Sequence, residues 1–152
     1  MVRKRPPKPG FQEAPAPFTP DRLSLEQMLR LNAEVLDAYD YTCAVTGARF
    51  NAETARSANI VVIPIHPAET GGRLVGNNML PLVPAVAEAF RDGDFSIGVG
   101  FEIIVDLSRI EGDVLRVLPR SGKVLIPKNR AFVPDPDNLH YHRHTIFQAV
   151  GG

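Results

Sequence analysis

A helix is the first element that the hydrophobic pattern predicts. Ser24 has Gln27 three residues later, which is the spacing of an N-terminal capping box. The twenty residues before this point contain six prolines and little apolar periodicity, which predicts a disordered basic arm over residues 1–20. Residues 24–39 are expected to be helical because apolar side chains recur there at helical spacing: Leu25, Met28, Leu29, Leu31, Val35, Leu36 and Tyr39.

Shorter apolar runs in the rest of the chain predict strands separated by loops. The run IVVIPI predicts a buried strand at residues 60–65, and the Gly- and Asn-rich residues 66–78 predict a loop after it. Helices are expected at residues 79–91 and at residues 137–150. Together these elements predict an α+β domain over residues 21–150, with an N-terminal helix, a small antiparallel strand cluster and a C-terminal helix. Further short strands are expected at residues 43–47, 95–100, 101–107, 114–118 and 123–127.

Length and composition are those of an ordinary soluble domain. The chain has 152 residues and no apolar run near the ~20 residues that a membrane-spanning helix needs. No apolar stretch follows the basic start, so we expect neither export nor membrane association. Cys43 is the single cysteine of the sequence, which excludes an internal disulfide and a paired-cysteine zinc site. A cytoplasmic location fits these features.

Charge is distributed unevenly, although the formal net charge is zero. Residues 11–113 carry seven basic and fifteen acidic side chains, whereas residues 1–10 and 114–134 carry basic side chains and no acidic ones. This asymmetry indicates a polyanionic partner, because clustered cations attract one. The candidate contacts in the two basic segments are Arg3, Lys4, Arg5, Lys8, Arg116, Arg120, Lys123, Lys128 and Arg130.

Several segments carry a resemblance to a known family. VLDAYDYTCAVTGARF (35–50), the loop ending at Asn78, FRDGDFSI (90–97) and LHYHRHTIF (139–147) resemble, in order and spacing, the restriction-type branch of the HNH endonucleases. Members of that branch read Val-Leu-x-Ala-Tyr before Cys-Ala-Val-Thr-Gly, then His-Ile-x-Pro, Asn-Gly-Leu and a closing Leu-x-x-His-Arg. The resemblance spans residues 25–147 and implies a ββα unit that holds one divalent metal ion.

The resemblance also implies roles for individual positions. In the family a histidine on the first strand activates water, an asparagine orients that histidine, and residues on the helix help to hold the metal ion. Here the histidine position is Pro64, the asparagine is kept as Asn78, the helix histidine is replaced by Ala87, and the acidic residue is Arg91. Proline accepts no proton, alanine binds no metal ion and arginine repels one. We therefore expect a nuclease scaffold that has no catalytic site, no metal site and no cofactor. A divalent metal ion such as Mg²⁺ would be needed only if the protein were active.

His66 is the residue that could preserve activity. It lies two positions after Pro64, on the same face of a strand, and could be a displaced base. The other interpretation is a loop histidine beside two prolines that takes no part in catalysis. Glu69 or Asp92 could replace the lost metal ligands. Asp92 lies one residue after the acidic position of the family, and on a helix that shift turns the side chain by about 100°, so Asp92 is expected to point elsewhere.

Three histidines alternate near the C-terminus. On a helix His140 and His144 share one face at the spacing of zinc-binding helices, but two imidazoles do not complete a site, so no metal is expected there. His142 and Arg143 match the family's His-Arg, which implies a packing or capping role for His142. Cys43 matches the family's cysteine and, having no cysteine partner, is expected to pack in the core.

Three functions remain open from the sequence. The preferred one is a catalytically degenerate HNH-like protein that binds DNA or a protein partner without cleavage, with the basic segments contacting phosphates. The acidic body favours an interaction subunit that binds protein only. The third function is an active, metal-dependent endonuclease with relocated residues such as His66. The oligomeric state is not predicted.

Overall fold

A computed structural model describes residues 22–148, apart from the side chains of residues 56 and 57. The predicted arm at residues 1–20, which contains four of the candidate phosphate contacts, lies outside the described residues. Helices and strands are mixed, as the sequence predicts. In chain order they are α1 (Leu25–Ala38), α2 (Ala52–Thr54), β1 (Val61–Pro64), β2 (Met79–Leu82), α3 (Pro84–Arg91), β3 (Phe95–Ile97), β4 (Ile103–Val105), α4 (Gly112–Arg116) and α5 (Pro136–Tyr141).

Helix α1 begins at the predicted capping box. The Gln27 N–H donates to the Ser24 hydroxyl (3.1 Å), and the Ser24 N–H donates to the Gln27 side chain (2.8 Å). The helix ends in an unusual turn in which Asp40 and Tyr41 both have left-handed backbone angles (φ 55° and 54°). The Tyr41 N–H donates to the Leu36 carbonyl (2.8 Å), which holds this turn. A left-handed tyrosine costs on the order of 1–3 kcal/mol, so the surrounding structure enforces the conformation.

Strands β1 and β2 and helix α3 form a ββα unit. The strands pair antiparallel from Val61 with Leu82 to Pro64 with Met79. The Ile65 N–H donates to the Asn78 carbonyl (2.8 Å), so Ile65 and Asn78 are a hydrogen-bonded pair. Hydrogen-bonded and non-hydrogen-bonded pairs alternate along an antiparallel ladder. Pro64 and Pro81 therefore occupy non-bonded positions, where the ladder needs no N–H from them.

The predicted helix over residues 79–91 is wrong at its start. Residues 79–82 are strand β2, and the helix begins only at Pro84, in the first-turn position that suits proline. All four β2 residues are buried, so the strand shows no alternation of apolar and polar residues. A short apolar run of this kind cannot be distinguished from a buried helix by periodicity alone.

Three of the short strands predicted from apolar runs are not strands. Residues 114–118 belong largely to helix α4, in which Val114 is the buried residue. Residues 43–47 form a turn between the isolated bridge partners Thr42 and Arg49, and residues 123–127 contribute one bridge, Lys123 with Glu102. Such brief segments give too few positions to determine a period.

Strands β3 and β4 pair antiparallel, from Phe95 with Val105 to Ile97 with Ile103, as the runs 95–100 and 101–107 predict. The closing helix α5 continues as a π-helical turn, His142–Phe147, that contacts β3. Cys43 is buried as expected, and its sulfur accepts N–H groups from Thr46 (3.3 Å) and Val83 (3.4 Å). These contacts tie the turn after α1 to the end of β2. None of the helices within residues 22–148 is long and apolar enough to span a bilayer.

Candidate functional site

Asn78 closes the loop between β1 and β2. Its side chain is fully buried, and its Oδ1 atom accepts the N–H of His66 (2.9 Å). Its Nδ2 atom donates to the carbonyls of His66 (2.9 Å) and Arg73 (2.7 Å). The family role expected for this residue is to orient a catalytic imidazole. Within residues 22–148 these hydrogen bonds join the Asn78 amide to backbone N–H and carbonyl groups of the loop, so Asn78 fixes the path of the loop.

His66 is held at both its backbone and its ring. Its ring stacks on Tyr141 of α5, with centroids 3.5 Å apart and planes 5° from parallel. Its Nε2 atom lies 2.9 Å from the Thr70 carbonyl oxygen. Gly72 approaches the His66 carbonyl so closely that a Cβ at position 72 would lie 1.8 Å from that oxygen. The histidine is therefore part of the contact that joins the loop to the C-terminal helix.

The Thr70 contact determines the tautomer of a neutral His66 ring. A carbonyl oxygen only accepts hydrogen bonds, so Nε2 must carry the proton. The basic lone pair is then on Nδ1. Any role for His66 as a general base has to use Nδ1, with the ring in the orientation that the Tyr141 stack imposes.

Pro64 and His66 share one face of the β1 segment, as alternation predicts. Ile63 and Ile65 are buried, whereas Pro64 and His66 are half-buried. Pro64 pairs with Met79 and supplies neither an acid-base group nor a metal ligand. At the expected base position the chain therefore has a structural residue.

Ala87 and Arg91 also have structural explanations. Ala87 is 1% exposed and lies on the buried face of α3, so a larger imidazole there would displace core side chains. Arg91 is exposed in the last turn of α3, where a cation interacts favourably with the helix dipole.

The acidic residues that could have replaced metal ligands do not form a site with His66. Glu69 is exposed in a 3₁₀ turn, and Asp92 caps the C-terminus of α3 and lines a groove between α3 and α4 with Glu88 and Glu111. Within residues 22–148 no group of three His, Cys, Asp or Glu side chains is placed to hold a metal ion. The described residues therefore do not fit the divalent metal site that the family resemblance implies.

His142 has the packing role that the resemblance predicts. Its Nε2–H donates to the Phe90 carbonyl (2.8 Å), so its Nδ1 accepts the Ser96 hydroxyl (2.7 Å). The ring stacks on Phe90 at 3.7 Å. Burial lowers the pKa of His142 to about 4, and Arg143 acts in the same direction. Both Ser96 and His142 are fully buried, so this serine–histidine pair joins α3, β3 and the closing helix and is not reachable by a substrate.

His140 and His144 lie side by side, as their spacing predicts. Their ring centroids are 4.1 Å apart, and both residues are exposed. No third ligand accompanies them among the described residues. The pair is a feature of the helix surface.

The basic segment at residues 114–134 runs beside the loop between β1 and β2 of the ββα unit. The backbone of Leu125 donates to Ala44, the turn that begins at Arg130 contacts the turn Gly76–Asn78, and the Asp135 N–H donates to the Asn77 carbonyl (2.9 Å). Arg116 forms an ion pair with Asp113. The other candidate contacts of this segment, Arg120, Lys123, Lys128 and Arg130, are exposed.

A solved structure of similar fold is described as a Modification dependent TagI restriction endonuclease. It aligns with a TM-score of 0.56 and 21% sequence identity, over 77% of this chain and 37% of that chain. The two chains share a fold. At this identity the similarity extends to the fold alone, and the present chain spans little more than a third of its neighbour's length. No protein-family profile and no curated protein matches the sequence.

Sequence reasoning missed the partners of the two central histidines. Tyr141 is 75 positions from His66 along the chain, and Ser96 is 46 positions from His142. Neither pair produces a local motif, because each contact is formed only when the C-terminal helix packs against the rest of the domain.

Proposed function

We propose that this chain is a nuclease-like domain of the HNH type that binds DNA without cleaving it. The observation that carries the proposal is the replacement of functional groups on an intact ββα unit, with Pro64 at the base position and Ala87 buried at the helix-histidine position. The similarity in fold to a restriction endonuclease supports a nuclease origin. Loss of the general base alone typically lowers a rate by about 10²–10⁴.

The surroundings of His66 support the same proposal. The stack on Tyr141 and the hydrogen bond to Thr70 give this histidine a structural role in joining the loop to the C-terminal helix, and they leave only Nδ1 able to accept a proton. An active, metal-dependent nuclease is the competing function. It would have to use Nδ1 of His66 and a metal ion held without the ligand group expected of the family.

DNA is the proposed partner because exposed cations lie beside the loop of the ββα unit. Arg130 begins the turn that contacts Gly76–Asn78, and Lys128 lies two residues before it. Cations in such a position would bind phosphates without regard to sequence and release counterions, which makes the affinity dependent on salt. The predicted arm, with Arg3, Lys4, Arg5 and Lys8, would add contacts of the same kind.

Salt-dependent binding tests this proposal. The affinity of the full chain for a duplex is measured by fluorescence anisotropy between about 50 and 200 mM salt, and we expect log K to fall linearly with log salt. The variants Lys128→Gln and Arg130→Gln should each reduce the slope by about one unit. Deleting residues 1–18 should reduce it further while leaving thermal stability nearly unchanged.

Arg30→Gln is the matched control, because Arg30 is exposed on α1, pairs with Glu26 (3.5 Å) and is not one of the cations of residues 114–134. Its slope should equal that of the wild type. Absence of salt-dependent binding, or equal slopes for all the variants, would contradict DNA binding and favour a protein-only interaction subunit.

A further inference from the structure

An apolar groove lies along α1, and none of the residues that line it belongs to the basic segment at residues 114–134. Leu29, Ala33 and Leu36 line it on the α1 side, and Tyr41 and Ala52 line it on the other. Leu29 is 60% exposed, and Leu25, one turn earlier on the same stripe, is 77% exposed. Exposed leucines that continue into a groove form an apolar surface of the kind used for partner binding.

Two of the residues that line this groove have unusual features. Tyr41, which lines it, has the left-handed backbone conformation described above, and such conformations in non-glycine residues cluster at active sites, ligand clamps and switch regions. Asn32 also lines the groove, and its Oδ1 atom is buried without a hydrogen-bond partner among the described residues. The terminal torsion of an asparagine is broad, so this oxygen can turn towards an N–H group supplied by an occupant.

The charge beside the groove indicates the chemistry of the occupant. At 100° per residue, Glu26 and Asp37 follow the apolar stripe on its solvent side, and both are exposed. Glu53 is exposed next to Ala52 on the opposite side. Arg30 pairs with Glu26, so this face of α1 keeps a net charge of −1 from Glu26, Asp37 and Arg30, and Glu53 adds a second negative charge across the groove. An occupant with basic side chains beside its apolar face would complement this border.

We propose that the α1 groove is the docking site of a segment from a partner protein, with an apolar face flanked by lysine or arginine. The stripe from Leu25 to Leu36 is about 17 Å long, which matches roughly three turns of an amphipathic helix. This docking site does not depend on the proposed DNA binding, since none of the groove-lining residues belongs to the basic segment. Of the acidic residues beside the groove, Asp37 also lies near Asn129 and Phe132 of that segment.

The probe is a synthetic amphipathic helix of leucine and lysine, about 14 residues long. Its binding to the full chain is measured by NMR shifts and anisotropy, beside a scrambled peptide of the same composition and a leucine–glutamate peptide. We expect the amphipathic leucine–lysine peptide to bind best and to shift signals of Ala33, Leu36, Tyr41 and Ala52. Replacing Leu29 with Gln should weaken binding about tenfold or more, because it removes an apolar anchor.

Leu107→Gln is the matched control, since Leu107 is also an exposed leucine (72%) but does not line the groove. The double variant Glu26→Gln, Asp37→Asn should weaken binding of the lysine peptide and reduce its salt dependence. Equal binding of the scrambled or glutamate peptide, or equal effects of the two leucine substitutions, would overturn the proposal. Leu29-dependent self-association would assign the groove to a second copy instead, and Leu29-dependent shifts confined to residues 1–21 would assign it to the chain's own start.

Discussion

Lowering the pH from 7 towards 4 should destabilise the fold through His142. Burial lowers the pKa of this histidine from an ordinary value of 6.5 to about 4. Between these two values the unfolded state binds a proton that the folded state excludes, so the free energy of unfolding falls as the pH falls. The contribution is fully present above pH 6.5 and is lost by about pH 4.

The difference between the two pKa values corresponds to about 3 kcal/mol when the transition is complete. Between pH 7 and pH 5 the expected loss is about 2 kcal/mol, or more than 1 kcal/mol per pH unit in the steep part. This is a large share of the 5–15 kcal/mol typical of a domain. The main reason is burial, which disfavours the charged imidazolium; the positive charge of Arg143 lowers the pKa of His142 further, whereas the hydrogen bond to the Phe90 carbonyl raises it. A proton on Nδ1 would also require the Ser96 hydroxyl to accept a hydrogen bond instead of donating one.

Urea denaturation of the wild type and of His142→Phe at several pH values isolates this effect. Phenylalanine keeps a ring to stack on Phe90 and does not titrate. It leaves the Ser96 hydroxyl and the Phe90 carbonyl without their partner, so the variant is less stable at pH 7. The difference in stability between the two proteins should shrink by about 2 kcal/mol from pH 7 to pH 5.

A stability difference that stays constant over this range would refute the reasoning, because carboxylates and the other histidines affect both proteins alike. An NMR titration of the wild type provides a second readout that needs no variant. The His142 ring should remain neutral at pH 5, and an ordinary pKa near 6.5 would refute the account equally.

Three further predictions concern the ββα unit and are measured by urea denaturation. Asn78→Ala removes three buried hydrogen bonds and should cost about 3 kcal/mol or more, whereas a loss below about 1 kcal/mol would contradict the role in loop closure. Ala87→His should destabilise the fold by about 1–3 kcal/mol, because the larger side chain overpacks the core. Glu88→His is the control, since Glu88 is exposed on the same helix. Equal losses of stability in the two variants would show that position 87 is not enclosed. Gly72→Ala should destabilise strongly, since the added Cβ would lie 1.8 Å from the His66 carbonyl oxygen. Gly112→Ala is the control and should be tolerated, because its Cβ would meet nothing closer than 3.6 Å. Comparable stabilities of the two variants would contradict the close approach at Gly72.

The sequence predicts those parts of the fold that depend on nearby residues. The cap at Ser24 and the bounds of α1 are local properties, because a capping box and a helical stripe involve residues three or four apart. The strand β2 was predicted as helix, because burial on all sides removes the alternation that identifies a strand. The local sequence pattern therefore identifies amphipathic helices and strands, but it does not distinguish helix from strand where every side chain is buried.

The candidate site divides in the same way. The resemblance identified Asn78 and His142 as retained positions, and the residue types alone establish that they supply an amide and an imidazole. Their contacts could not be predicted, because Asn78 binds the backbone of His66 and His142 binds residues of α3 and β3. The stack of His66 on Tyr141 depends on how α5 packs, which no short segment of sequence encodes.

Cleavage of supercoiled plasmid by extensively purified protein tests the central claim most directly. The wild type and His66→Ala are incubated with Mg²⁺, Mn²⁺ or Zn²⁺ under conditions in which salt-dependent binding is measured in parallel. The proposed function predicts binding by the wild type and no metal-dependent nicking with any of the three ions. Metal-dependent nicking by the wild type that disappears in His66→Ala would contradict it and would identify His66 as a relocated general base.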